Sequence, residues 1–276
     1  MMTVSNSSCG CSVGLLNEIV EIKMIKLLVF NFILIALISV GLCLVKKHVK
    51  TDRTKSLILL VAAIFTILFH YSSFVVLLLT GGDAVGYLGR NPNLILPIYP
   101  CNVVMWSALI FALLKNKHTV FGSYLADYLF WFGIVSTLVG MFANVDFINN
   151  PTLADYENVK SIGAHATLLF NVLLLCVFGY VKIDVKRNMV NILISVLKMA
   201  IIGAYCNLLF TVLASREAAY DVNSMFLIHS PFPGVDFLIY PVIALIAIPI
   251  YLAVFVACDF FANKKGERFI DKIVKR

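Results

Sequence analysis

The stretch KLLVFNFILIALISVGLCLVKK, residues 26–47, decides the fold class. From Leu27 to Val45 it carries no charge. A helix of that length, rising about 1.5 Å per residue, crosses the roughly 30 Å of hydrocarbon in a bilayer. Lys46 and Lys47 then stop it at the headgroups. Runs of the same kind follow at 57–79, 94–114, 121–143, 161–181, 190–213 and 235–258. The chain is 61% hydrophobic and 13% charged, with mean hydropathy +0.95. Soluble domains are roughly half apolar and a quarter charged, and no soluble core takes up such an excess. The expected fold is all-α: a polytopic membrane helix bundle with about seven transmembrane helices. Its parts are an extracytoplasmic N-terminal arm at 1–25, a transmembrane domain at 26–260 and a basic cytoplasmic tail at 261–276. The first 25 residues are too long and polar for an ordinary signal peptide, and no small-residue cleavage site follows Leu44, so the first apolar run is read as a retained span.

Charge sets the orientation. One set of loops carries Lys46, Lys47, Lys50, Arg53 and Lys55, then Lys115 and Lys117, then Lys182, Lys186 and Arg187. The tail adds Lys264, Lys265, Arg268, Lys272, Lys275 and Arg276. The opposite loops hold only Lys23, Lys26, Arg90, Lys160 and Arg216. Cytoplasmic loops are the Lys- and Arg-rich ones, which predicts the N-terminus outside and the C-terminus in the cytoplasm. The net charge of +7 is therefore a topology signal facing anionic headgroups, and no nucleic-acid partner is expected. Phospholipids are the expected partners, as solvent and as substrate, and no protein partner is identified.

Nothing points to a soluble cofactor. No glycine-rich phosphate loop opens a helix, and no Cys or His pairs stand at zinc spacing, so neither cofactor nor metal is expected. Cys9 and Cys11 form a lone Cys-Gly-Cys with no second ligand pair.

Ionisable groups inside spans are costly and face the bundle interior or a wet cavity. They are His70, Asp127, His165 and Lys198. Asp127 and Lys198 stand about 9–13 Å deep from the same side, by rise per residue, and are expected to form a structural ion pair. The outer half carries a different pattern. Leu96-Pro97-Ile98-Tyr99-Pro100-Cys101-Asn102 has two prolines that a regular helix cannot both hold without losing hydrogen bonds. A regular helix starting at Pro100 puts Cys101 in its first turn, where unpaired N–H groups favour a thiolate. Cys101 lies about 10 Å and His165 about 6 Å from the outer ends of their runs. A thiol and an imidazole base make a workable acyl-transfer pair. The plainer readings are a small packing residue for Cys101 and interhelical hydrogen bonding for His165 and His70. Asn102, Asn144, Asp146, Asn207 and Tyr240 share that level as orienting groups. Arg90, Lys160, Arg216 and His229 are candidates for meeting a headgroup.

Three blocks carry a resemblance. They are Pro100-Cys101-Asn102-Val103-Val104, His165 near the start of an apolar helix, and Asn223-Ser224-Met225 followed by Ser230-Pro231-Phe232-Pro233-Gly234. In these, over roughly residues 55–260, the sequence resembles the YwaF-type integral membrane protein family and its vertebrate relative, a transmembrane acyltransferase of ether-phospholipid remodelling. The resemblance implies a lipid acyltransferase with an acyl-enzyme on Cys101 and His165 needed for transfer. It makes Asn102, His70, His229 and Arg90 the candidate substrate-binding or orienting residues. Asn102 stands where the vertebrate form has a histidine, so that neighbour's role does not carry over. With Cys101 near the outer face, an extracytoplasmic or lumenal site and a lipid acyl donor are expected. The alternatives are a transporter using Asp127 and Lys198 as coupling charges, and a non-catalytic seven-helix receptor or sensor.

Overall fold

The computed structural model of the chain describes residues 10–142, 152–231 and 234–274. Among these every regular element is helical, and six helices are long and apolar enough to cross a membrane. They are α1 (Gly10–His48, its apolar span from Met24), α2 (Asp52–Thr80), α5 (Val120–Phe142), α6 (Tyr156–Val177), α7 (Val185–Leu213) and α9 (Tyr240–Ala262). Between them lie the short helices α3 (Ala84–Arg90), α4 (Pro100–Leu113) and α8 (Arg216–Val222), with α10 (Phe269–Val274) in the tail. The run at 94–114, expected as a seventh span, is instead the 14-residue α4. Its first residues are spent on the irregular segment before Pro100, and a helix of that length reaches only about 21 Å. At the other extreme, α1 already begins at Gly10, inside the stretch expected to be a separate arm.

Local chemistry sets the ends. Thr51 accepts the Thr54 N–H at 3.2 Å to open α2. Gly81, at φ +72°, closes it, and the Gly82 N–H returns to the Leu77 carbonyl at 2.8 Å. Asp155 and Asp184 cap α6 and α7 through the amides of Glu157 and Arg187 at 3.0 and 2.9 Å. Pro100 takes the first position of α4, where its missing N–H costs nothing.

The tightest packing joins α2, α4, α5 and α6 around Leu59, Val104, Phe111, Leu129 and Leu174. Gly133 of α5 makes this possible, because any Cβ there would press on Val172 of α6 and Val104 of α4 at 2.9 and 3.1 Å. Polar side chains tie the same helices together, as expected where lipid gives no hydrophobic drive for association. Thr66 bonds Thr167 at 3.1 Å, and Asn171 donates to the Leu59 carbonyl at 3.2 Å. Outside this core, α1 is pinned to α5 by Asn31, whose amide donates to the Met141 carbonyl at 2.6 Å. On the opposite flank α9 reaches α5 through Tyr251, which donates to the Trp131 carbonyl at 3.1 Å.

All the basic loops share one end. His118, in the α4–α5 loop, lies 5.6 Å from Tyr180 in the α6–α7 loop, and a groove joins residues 183–186 to the α9–α10 region. At this end Asp127 and Lys198 do not pair. Arg187 grips Asp127 Oδ2 at 2.7 Å through both Nε and Nη2, and Asn191 donates to the same oxygen at 2.7 Å. Hydropathy places the start of α7 near 190, but the helix begins at Val185, which brings Arg187 level with Asp127. Lys198 starts some 20 Å into α7 from that end, and its Nζ lies over the Tyr128 ring, on a different face of α5 from Asp127.

Candidate functional site

Residues 91–99, ahead of α4, are held at both ends. α2 holds the beginning: His70 Nε2 lies 3.3 Å from the Asn93 carbonyl, and the Tyr71 hydroxyl donates to the Leu94 carbonyl at 2.7 Å. The far end is held by a strand of loop returning from α8. The Met225 N–H and the Ser224 hydroxyl both donate to the Ile98 carbonyl, at 2.8 and 3.1 Å. That loop has positive φ at Asn223 (42°), Met225 (54°) and Phe226 (55°), a strained path for residues with side chains. It persists because the surroundings over-determine it. Asn207 of α7 brackets Ser224, accepting its N–H at 2.8 Å and donating to its carbonyl at 3.2 Å. Gly203 leaves room for Met225 and Leu227, which lie 2.7 Å from where a Cβ would stand.

These two strands of backbone present the first turn of α4. Asn102 is buried and spent on capping, its Oδ1 accepting the Tyr99 N–H at 3.1 Å. Cys101 is half-buried in that first turn, beside the Asn102 amide, whose N–H donates to the Tyr99 carbonyl at 3.0 Å. Nearby lies Tyr128 of α5, fully buried, with Tyr124 and Tyr240 also close to it. Lys198 Nζ sits over the Tyr128 ring at 3.2 Å from the centroid and 5.5 Å from that of Tyr124. Tyr240 opens α9 and donates to the Val196 carbonyl at 2.9 Å, at mid-length of α7, so α9 begins well inside the bundle. A thiol, three phenol rings and an ammonium thus gather from α4, α5, α7 and α9.

His165 lies at the contact between α6 and α5. It stands nine residues into α6, about 14 Å from the helix start and deeper than expected, because α6 begins at Tyr156. Its Nδ1 lies 2.8 Å from the Ser161 carbonyl. A carbonyl only accepts, so Nδ1 carries a proton and the neutral ring keeps its lone pair on Nε2. That nitrogen faces Gly140 of α5, where a Cβ would overlap the imidazole. Among the described residues no hydrogen bond joins Cys101 to His165.

The other candidates are mostly engaged. Lys160 pairs with Glu157 and donates to the Tyr87 hydroxyl at 2.8 Å, clamping α3 onto α6. Arg90 faces Asp83 at 3.6 Å on the surface, and Arg216 is exposed at the start of α8. His229 packs against Tyr220 with ring centroids 4.6 Å apart, tilted by 38°, and is held by Asn223. Asn144 and Asp146 lie outside the described residues. Tyr124 and Tyr128 went unsingled in the sequence, although their i, i+4 spacing on one face, with stacked rings 6.3 Å apart, was the available signal.

No curated protein and no solved structure matches this chain. A family model does, and it runs from residue 20 to residue 258, from before the first span into the last, across both strands of backbone that hold the α4 entrance. The chain belongs to the TMEM164 family of multi-pass membrane proteins.

Proposed function

We propose that the protein is a membrane acyltransferase that moves a fatty acyl chain between lipids through a thioester on Cys101. The observation that carries this reading is the position of Cys101 in the first turn of α4, among the leading N–H groups of the helix. Such groups suit an anionic tetrahedral intermediate. The resemblance of the Pro100-Cys101 and His165 blocks to a lipid acyltransferase adds to it.

In the first half-reaction Sγ attacks the ester carbonyl of the donor lipid. The ester C–O bond breaks, and the thiol proton leaves on the departing lysolipid's oxygen. In the second, His165 Nε2 takes the proton of an acceptor hydroxyl as that oxygen attacks the thioester. The C–S bond breaks, and the proton returns to sulfur. Cys101 and His165 therefore act on a lipid lying between them rather than on each other, in keeping with the absence of a hydrogen bond between them.

The test is labelling with an alkyne fatty acid followed by hydroxylamine. Wild type is expected to carry a hydroxylamine-sensitive label that Cys101→Ala loses and that accumulates in His165→Ala. A label that persists in Cys101→Ala removes the mechanism.

Lys198 favours a second reading, an anion transporter. It is a cation at mid-bundle with no carboxylate in ion-pair range among the described residues. Flux of a small anion into vesicles, abolished in Lys198→Met but intact in Cys101→Ala, would establish transport in place of acyl transfer.

A further inference from the structure

At the far end of α4 from Cys101, the start of α2 and the end of α4 enclose a groove of about 440 Å³. Arg53, Lys115 and Lys117 line it, and all three lack a carboxylate within ion-pair distance among the described residues. The contrast with Lys55 is direct, since that lysine is matched by Asp52 at 3.1 Å. Lys117 is fixed in the groove wall. Its ammonium donates to the carbonyls of Ala112 and Leu114 at 3.1 and 2.9 Å, satisfying the C-terminus of α4, and to the Ser56 hydroxyl at 3.1 Å. Burial pushes this ammonium below its ordinary pKa, and no anion of the protein offsets that. Arg53 and Lys115 are exposed and free to close on a ligand. The remaining wall is apolar: Leu57 and Leu113 belong to the hydrophobic stretches of α2 and α4 and are 57% and 64% exposed.

We infer that this groove binds an anionic phospholipid. The phosphate lies against Arg53 and Lys115 beside the fixed charge of Lys117, and an acyl chain follows Leu57 and Leu113 into the bilayer. Two exposed cations beside a buried ammonium, with no carboxylate in ion-pair range among the described residues, favour an anion, and the apolar wall selects one that carries a hydrocarbon chain. A soluble phosphate would leave that wall unused. The site is separate from Cys101 and independent of whether acyl transfer occurs there.

The test is native mass spectrometry of the full chain in a neutral detergent, titrated with dioleoyl phosphatidylglycerol or dioleoyl phosphatidylcholine. Wild type is expected to retain phosphatidylglycerol about tenfold more strongly. The double variant Arg53→Gln/Lys115→Gln is expected to lose that preference, while Lys264→Gln/Lys265→Gln, which removes the same charge from the tail, keeps it. Both pairs are exposed, and an unchanged thermal midpoint verifies that each variant is folded. Equal retention of the two lipids by wild type, or equal loss in both double variants, overturns the site. Glycerol 3-phosphate and coenzyme A are added as competitors. Failure of both to displace the lipid supports the assignment, and displacement by either overturns the lipid in favour of a soluble phosphate ligand.

Discussion

At Gly140 a single hydrogen stands where a methyl group would enter the His165 ring. Gly140→Ala must push the imidazole off α5 or part α5 from α6. The cost of such overpacking is about 1–3 kcal/mol, and the lone pair on Nε2 is re-aimed with it. The expected outcome is a lower thermal midpoint together with a hydroxylamine-sensitive label that builds up as in His165→Ala. Asp127 offers a second residue-scale test. Its side chain is fully buried and that of Arg187 is 30% exposed, so removing either partner is expected to destabilise by about 3 kcal/mol, the low end for a buried pair. In a double-mutant cycle Asp127→Ala and Arg187→Met should couple strongly, whereas Asp127→Ala and Lys198→Met should simply add. Unfolding of the purified protein in mixed micelles measures both. Strong coupling between Asp127 and Lys198 would contradict the arrangement described.

At the scale of elements, α4 is half a span whose missing part is made up by irregular backbone. Such backbone is tolerated at membrane depth only where protein covers it. Here the cover is the Ser224–Phe226 turn, and the link from that turn to α7 is Asn207. Asn207→Leu keeps the branched four-atom side-chain skeleton but removes both bonds and leaves the Ser224 amide and carbonyl unpaired. A loss of about 1–3 kcal/mol is expected, felt at the α4 entrance. Two readouts check it: faster proteolytic nicking near residues 223–231, and weaker acyl labelling of Cys101 with α2 and α6 unaffected. The start of α4 at Pro100 was legible, because proline has one comfortable place in a helix. The partner of that entrance was not, since nothing local in Asn223-Ser224-Met225 says that it returns to Ile98, more than a hundred residues earlier in the chain.

For the whole molecule, the loops gathered at the end that holds Arg53, Lys117 and Arg187 are expected to face the cytoplasm, by the excess of lysine and arginine there. Single cysteines introduced at Asn116 and Thr152 test this with a membrane-impermeant maleimide applied to intact cells. Thr152→Cys should react and Asn116→Cys should not, and the reverse result would invert the protein. The amino-acid sequence by itself determined the solvent and the long apolar helices. Uninterrupted apolar runs have no other home than lipid, and in lipid each backbone polar group must be satisfied within its own helix. Hydropathy measures depth along a helix axis, however, and is blind to rotation about that axis. Which faces meet was therefore left to the tertiary structure. Packing decided that Asp127 belongs to Arg187, that Lys198 lies over Tyr128, and that His165 bonds Ser161 and faces Gly140 instead of bonding Cys101.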